Sequence, residues 1–140
     1  MDVQFQLQHD GSVHVTELIG PIDLPKLADV MDSVMDTPEV SSAIVYEVDL
    51  TRTQLNHLGF SDIHPFSKTR NRIRKALGDS KPTVVVASSP VLYGVARIAA
   101  ALDRSEMHVF RSRETADTWI DAYLADQEQG AEHSPNRTDD

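Results

Sequence analysis

The stretch TVVVASSPVLYGVARIAAAL, residues 83–102, contains a strand and a helix with almost no chain between them. Residues 83–87 form a short apolar run rich in β-branched side chains, which is typical of a strand covered on both faces. Ser89 and Pro90 then fit the N-cap and the first residue of a helix. Because strands that lead directly into helices build parallel sheets, this stretch predicts an α/β domain.

Two serines at the start of this helix raise the question of a catalytic hydroxyl. A nucleophile elbow has a glycine on each side of its serine, because strand and helix approach closely at a strained turn. The neighbours of Ser88 and Ser89 are Ala87 and Pro90, and no glycine occurs before Gly94. We therefore predict that Ser89 is a cap whose hydroxyl accepts a backbone N–H. The protein is predicted to be no enzyme and to have no catalytic residues, with a hydrolase as the least favoured alternative.

The rest of the chain alternates strands and helices. VQFQLQ (3–8) and VHVTELIG (13–20) alternate apolar and polar residues around the turn HDGS, so they predict a β-hairpin with one buried face. The further predicted elements are a helix at 24–35 capped by Asp23, a strand at 43–48, a helix at 61–77, a strand at 107–110 and a helix capped by Ser112. This order predicts a mixed, mostly parallel sheet of four or five strands with about four helices.

The length of 140 residues predicts one domain, which we place at residues 1–126. Residues 127–140 are polar and lack apolar anchors, so they are predicted to be a disordered acidic tail. The chain has no cysteine, which excludes disulfides and thiolate metal sites. It contains neither a secretory signal pattern nor an apolar run of about 20 residues, so a cytoplasmic location is expected.

Basic residues are concentrated in the middle of an acidic chain. The net charge is −9, yet residues 52–113 contain eleven basic and four acidic residues. Apolar residues precede the basic cluster: the predicted ligand-binding residues here are Leu58, Phe60, Ile63 and Phe66, and the predicted anionic-surface contacts are Lys68, Arg70, Arg72, Arg74 and Lys75. This order suits a mobile helix 61–77 that inserts apolar side chains into an interface and binds anionic headgroups, peripherally at a membrane. The alternative is an ordinary core helix with a solvated basic face.

The helix predicted over 90–102 contains a second candidate site. Tyr93 and Arg97 are one turn apart, so the guanidinium can lie over the ring. Gly94 destabilises a helix by about 1 kcal/mol relative to alanine, but it permits close approach of another group. Tyr93, Gly94 and Arg97 are therefore added to the predicted ligand-binding residues, with Arg97 contacting an anion. Close packing and a surface cation–π pair form the competing interpretation.

A longer pattern extends through the second half of the chain. A valine-rich strand precedes Tyr-Gly with an arginine three residues on, a short strand ends in Val-Phe-Arg, and the last helix contains alanine and tryptophan. The residues concerned are Val84–Val86, Tyr93, Gly94, Arg97, Val109, Phe110, Arg111, Ala116 and Trp119. This pattern resembles the C-terminal half of the SpoIIAA-like proteins, which belong to the broader STAS/Sec14-like group of bacterial domains. The hairpin, the first helix and VYEVDLT (45–51) fit the same order, so the resemblance covers roughly residues 3–125.

The resemblance implies a STAS-type sheet with helices packed on it, and a regulatory role. In anti-sigma-factor antagonists of this group, an Asp-Ser-Ser-Gly loop carries a phosphorylation switch whose added charge breaks partner docking. The nearest segment here, Asn-His-Leu-Gly at 56–59, has no hydroxyl, and Ser61 fits a helix cap. A phosphoserine switch is therefore not expected. SpoIIAA-like relatives without that serine are associated with apolar-ligand binding and membrane contact.

Other chemistry finds little support in the sequence. His57 and His64 are seven residues apart, whereas a helical metal pair needs a spacing of three or four, so neither a metal nor another cofactor is predicted. No glycine-rich turn opens a helix, which excludes a phosphate loop. The acidic chain lacks the aromatic platforms of RNA readers, so nucleic acid is excluded as a partner.

Two function hypotheses result. The first is a non-enzymatic regulatory or binding module of SpoIIAA-like type that lacks the phosphorylatable serine. The alternative is a peripheral membrane-associated or lipid-like-ligand-binding protein that uses the basic helix 61–77. The partner classes left open are an apolar or anionic small molecule, an anionic membrane surface, and a protein partner or homodimer.

Overall fold

The computed structural model describes residues 1–35, 37–54, 81–102 and 106–137. The strands are β1 (Asp2–Gln8), β2 (Val13–Pro21), β3 (Val45–Gln54), β4 (Thr83–Val86) and β5 (Met107–Phe110). The helices in these ranges are α1 (Leu24–Met35), α2 (Pro38–Ser42), α3 (Pro90–Leu102) and α4 (Arg113–Arg137). The helix predicted over 61–77 lies outside the described residues and stays a prediction.

The five strands form one sheet in the order β1-β2-β3-β4-β5. β1 is antiparallel to β2, and the other three pairs are parallel. The predicted mixed, mostly parallel α/β sheet with an opening hairpin is therefore confirmed. Between Glu17 and Ile19 of β2 the register with β3 shifts by one residue, which marks a β-bulge.

The hairpin turn uses left-handed backbone at three successive residues. His9 and Asp10 have φ values of 53° and 55°, and Gly11 has a φ of 87°. The Gly11 N–H donates to the Gln8 carbonyl at 3.2 Å, which closes the turn. Aspartate, histidine and above all glycine tolerate this region better than other residues, so the sequence HDGS suits the turn it forms.

Apolar clusters cover both faces of the sheet. On one face, Leu27 of α1 and Val40 of α2 pack with Leu18 and Tyr46. On the other face α4 packs on the strands, and the buried residues there are Val13, Val15, Val45, Val84, Val86, Ala116 and Ile120. Because alternate residues of a strand point to opposite faces, the central strands need apolar residues on both sides.

Two side-chain caps define where helices begin, as predicted. The Asp23 carboxylate accepts the Lys26 N–H at 3.1 Å at the start of α1. The Ser112 hydroxyl accepts the Thr115 N–H at 3.2 Å at the start of α4. Each cap satisfies one of the main-chain donors that the first turn of a helix leaves unpaired.

One strand is longer than predicted, and one short helix was not predicted. β3 continues to Gln54, past the predicted end at residue 48, because β2 pairs with it as far as Pro21. α2 was not predicted. It begins at Pro38, whose fixed φ favours the first position of a helix, and Val40 anchors it in the core.

The last helix runs to Arg137, past residue 126, where a disordered tail was expected to begin. Residues 125–129 of this helix are exposed. The helix thus extends past the predicted boundary, and both the domain boundary at residue 126 and the disordered tail at 127–140 stay predictions.

Candidate functional site

The carboxyl ends of β4 and β5 lie side by side, because these strands are parallel and in register. The Ala87 N–H extends this pairing by donating to the Phe110 carbonyl at 2.9 Å. The chain then enters α3 at Pro90 and α4 at Arg113. In open α/β sheets, ligands commonly bind in the crevice at this end of the strands.

Ser89 begins α3 through its main chain. Its carbonyl accepts the Tyr93 N–H at 2.8 Å, and Pro90 is the first helical residue. The cap position is therefore as predicted. The predicted hydrogen bond to the Ser89 hydroxyl is not found among the described residues. The preset φ of Pro90 favours the helix start without a side-chain cap.

Two guanidinium groups lie near the ring of Tyr93. Cζ of Arg111 is 4.5 Å from the ring centroid, and Cζ of Arg97 is 5.9 Å from it. Both distances are in the range of cation–π contacts. The predicted contact of Arg97 with Tyr93 is present, and Arg111 approaches more closely. In the described part of the chain, neither arginine has a carboxylate at ion-pair distance.

α3 has a buried side and an exposed apolar side. Leu92 and Ala96 are buried. Val91, Val95 and Ile98 lie on one stripe of the helix and are 61%, 41% and 65% exposed. Together with the guanidinium groups around Tyr93, this stripe makes a surface that is apolar and positively charged. Exposed apolar groups that cluster in this way are typical of interaction sites.

Gly94 lies on this exposed side of α3. Apart from its two chain neighbours and the backbone of its own helix, no atom of the described residues lies within 4 Å of the position that a Cβ of residue 94 would occupy. Close packing within that part of the protein therefore does not explain the glycine. An open glycine beside an apolar stripe leaves room for a partner's main chain to approach the helix.

A partly buried ion pair joins β3 to the start of α4. Asp49 is buried, and its Oδ2 accepts a hydrogen bond from Nη1 of Arg113 at 2.6 Å. Its Oδ1 accepts the Thr51 N–H at 2.9 Å and the Thr51 hydroxyl at 2.6 Å. The β-bulge next to Asp49 disrupts the strand pairing at Thr51, and the carboxylate provides an acceptor for that N–H.

Glu47 lies two residues earlier on the same face of β3, and its carboxyl group is fully buried. Its register neighbours are Val15 and Val84, both in the apolar cluster under α4. Neither carboxyl oxygen has a hydrogen-bond partner among the described residues. Burial raises the pKa of Glu47 to about 7. The charge of Arg113 lowers this pKa, and the nearby carboxylate of Asp117 raises it again.

No matching protein-family model and no matching curated protein was found for this chain. Solved structures do match. An uncharacterised protein with a SpoIIAA-like fold from Shewanella loihica has a TM-score of 0.53 and 13% identity, and the match covers 84% of this chain and 91% of that protein. The anti-sigma factor antagonist SpoIIAA, unphosphorylated, has a TM-score of 0.54 and 13% identity, covering 88% and 98%. An anti-sigma factor antagonist from Mycobacterium paratuberculosis has a TM-score of 0.56 and 19% identity, covering 85% and 94%.

The chain has a SpoIIAA-like fold. At these levels of identity the similarity establishes the fold and nothing finer. The predicted STAS-type, SpoIIAA-like architecture is confirmed, since the similar structures match over most of both chains.

Tyr93, Gly94 and Arg97 lie within one turn of each other on α3 of the SpoIIAA-like fold, and their predicted role in ligand binding stays a prediction. The other predicted ligand-binding residues, Leu58, Phe60, Ile63 and Phe66, lie outside the described residues. The same holds for the predicted anionic-surface contacts Lys68, Arg70, Arg72, Arg74 and Lys75. A binding role for any of these residues stays a prediction.

A shallow cleft lies at the opposite edge of the SpoIIAA-like sheet from β5. Residues of β1 and β2 line it, namely Gln4, Phe5, Gln6, Val15 and Glu17.

The described ranges contain no group of three acidic or histidine side chains placed to hold a metal ion. They also contain no helix long and apolar enough to span a membrane.

Replacing Gly94 by alanine is expected to raise the free energy of unfolding by about 1 kcal/mol, because glycine weakens a helix interior. Gly11→Ala is the matched control. Its Cβ would also meet open space, but the φ of 87° at this position is left-handed. We therefore expect Gly11→Ala to lower the free energy of unfolding by about 1 kcal/mol. Urea denaturation measures both variants. A Gly94→Ala protein less stable than the wild type would contradict this account of α3.

Replacing Glu47 by glutamine is expected to stabilise the protein at pH 8 by up to about 3 kcal/mol, and to have little effect near pH 4. The folded-state pKa of about 7 lies above the ordinary value of 4.5. The folded protein therefore holds this proton more tightly, and stability decreases as the pH rises from about 4.5 to 7.

Urea denaturation from pH 4 to pH 8 measures the difference between Glu47→Gln and the wild type. Glu128→Gln, on the exposed end of α4, is the control and should change stability by less than about 0.5 kcal/mol. A difference between Glu47→Gln and the wild type that stays constant with pH would show that the buried carboxyl does not titrate in this range.

Proposed function

We propose that the protein is a non-enzymatic regulatory module that binds a partner protein on the exposed side of α3. One observation carries the proposal: Val91, Val95 and Ile98 form an exposed apolar row on α3, and the guanidinium groups of Arg97 and Arg111 lie at the Tyr93 ring of the same helix. The partner surface that would complement α3 has apolar side chains at its centre and carboxylates at its rim.

The energetics of this surface favour a protein over a small anion. Fully burying one valine or isoleucine side chain contributes about 1.5–3 kcal/mol, so the three-residue stripe can form the centre of an interface. Arg97 and Arg111 are pre-ordered by the Tyr93 ring, which lowers the entropy cost of pairing them with carboxylates. Charges at a rim mainly set orientation and association rate.

The comparisons support a regulatory role. Two of the similar proteins are, by name, antagonists of anti-sigma factors and so act on another protein. The proposal carries over the docking of a protein partner but not the identity of that partner. The segment 56–59, Asn-His-Leu-Gly, lacks a hydroxyl, which supports a module without a phosphoserine switch. A cytoplasmic location belongs to this proposal.

The test compares partners cross-linked in cells to the wild type, to Ile98→Asp and to the double variant Arg97→Glu, Arg111→Glu. Thr118→Asp, a change at an exposed position of α4, is the control. We expect a specific protein to be captured by the wild type and by the control and to be lost with both α3 variants. With that protein purified, calorimetry should show at least about tenfold weaker binding for each α3 variant, or about 1.4 kcal/mol.

Capture of the same proteins by all four forms would overturn docking on α3. Each substituted side chain is at least partly exposed, so the variants should keep the wild-type fold, and circular dichroism verifies this point. Loss of capture counts as loss of binding only in a variant that is folded. If the double variant Arg97→Glu, Arg111→Glu is unfolded, the double variant Arg97→Gln, Arg111→Gln replaces it.

The membrane or lipid-like ligand remains the second candidate, and it is supported by the apolar and basic sequence of residues 58–75. Sedimentation with phosphatidylglycerol vesicles that is lost in the triple variant Lys68→Ala, Arg72→Ala, Lys75→Ala would favour it. Native mass spectrometry adds an independent criterion. A co-purified mass of lipid size would favour the ligand-binding alternative over docking of a protein.

A further inference from the structure

β1 is an edge strand of the sheet that the described residues form. It pairs with β2 along Asp2–Gln8, and no other strand of the described residues pairs with it. Natural edge strands are usually short, or carry charges or proline that prevent further pairing. β5, at the other edge, has four residues, whereas β1 has seven. The segment from Val3 to Gln8 contains neither a charged residue nor proline.

Two large apolar side chains of β1 are exposed on one face. Phe5 is 44% exposed and Leu7 is 46% exposed. They share a face because residues two apart in a strand point to the same side, and Val3 lies on that face as well. β1 therefore combines an unpaired main chain with exposed apolar side chains, and one added strand would cover both.

The side chains of β1 are arranged symmetrically about Phe5. Gln4 and Gln6 flank it, and Val3 and Leu7 follow on the outside. An antiparallel pair of two such strands centred on Phe5 places Phe5 opposite Phe5, Val3 opposite Leu7, and Gln4 opposite Gln6. Apolar groups then meet on one face. On the other face the amides meet, and each amide offers both donors and an acceptor.

The same register keeps like charges apart and brings opposite charges together. Asp2 lies opposite the uncharged Gln8 of the second copy. The hairpin turn of the second copy, which contains Asp10, reaches the end of the strand at Met1. There Nζ of Lys26 donates to the Met1 carbonyl at 2.8 Å, so a cation is in place for that carboxylate. By symmetry this pairing occurs at both ends.

We propose that β1 is the docking surface for a second copy of this chain, through a twofold antiparallel β1–β1 pair that joins two five-stranded sheets. A twofold pair occupies the free edge of β1 in each of the two copies. No free β1 edge is left for a third copy, so the assembly closes at a dimer. A strand edge is narrow, and interfaces below about 1,200 Å² form weak complexes, so we expect a dissociation constant on the order of tens of micromolar. The β1 surface lies at one edge of the sheet, and α3 contacts β5 at the other edge. The dimer proposal is therefore independent of the proposal that a partner protein docks on α3.

Sedimentation velocity over a concentration series that spans this dissociation constant tests the proposal. The double variant Gln4→Lys, Gln6→Lys places like charges opposite each other twice, and we expect about tenfold weaker dimerisation. The compensated variant Gln4→Lys, Gln6→Glu has opposite charges at the same two places and should dimerise at least as well as the wild type. Gln127→Lys with Gln129→Lys, on exposed positions of α4, is the control for added positive charge.

Each outcome decides the proposal. A concentration-dependent dimer that is weakened by the lysine pair, retained in the compensated variant and unaffected in the control supports it. A wild type that is monomeric throughout the series overturns it. A dimer insensitive to the lysine pair places the interface elsewhere, and equal loss in both β1 variants excludes this register. Gln4 and Gln6 are exposed, so folding is preserved in every form, as circular dichroism can verify.

Discussion

The ion pair between Asp49 and Arg113 is the contact on which the carboxyl end of the sheet depends. A carboxylate buried in a strand is strongly unfavourable unless it is paired and hydrogen-bonded, and Asp49 has the guanidinium and both donors of Thr51. Because Arg113 is the first residue of α4, the pair fixes where that helix begins to cross the sheet. Arg111 lies two residues earlier, so the same anchor positions its guanidinium over Tyr93. The partly buried polar contact and the exposed surface of α3 are thus connected through one short loop.

Two acidic residues on one face of β3 have opposite environments. Asp49 is satisfied by three hydrogen bonds, whereas the carboxyl oxygens of Glu47 have no partner in the described part of the protein. The guanidinium of Arg113 makes its close ion pair with only one of the two carboxylates, that of Asp49, which lies nearer the end of the strand. Glu47 is left among valines beneath α4, so it carries the desolvation cost that raises its pKa. The α4 face therefore tolerates its buried acid best when that acid is neutral.

The sequence predicts those elements in which a few neighbouring residues decide the geometry. The caps at Asp23 and Ser112 and the turn HDGS depend on local hydrogen bonds and local backbone preferences, and they were predicted. The polar cluster was not predicted, because Asp49 and Arg113 are 64 residues apart and meet only once α4 packs on the sheet. A signal was present: acids at 47 and 49 alternate with Tyr46 and Val48 in a strand expected to be central. Tyr93 and Arg97 were paired by helical spacing, but Arg111 reaches the ring only because β5 lies beside β4.

The strand order of the sheet has a consequence for how the chain folds. Each strand pairs with the strand that precedes it in the sequence, so no strand has to insert between two that are already paired. The hairpin of β1 and β2 closes a four-residue loop and can form within about 1–10 μs, before any parallel pair. Each later strand can then add to an existing edge as it leaves the ribosome. The sheet can therefore grow in the direction of synthesis, and β5 joins last, followed by the helix that covers Glu47.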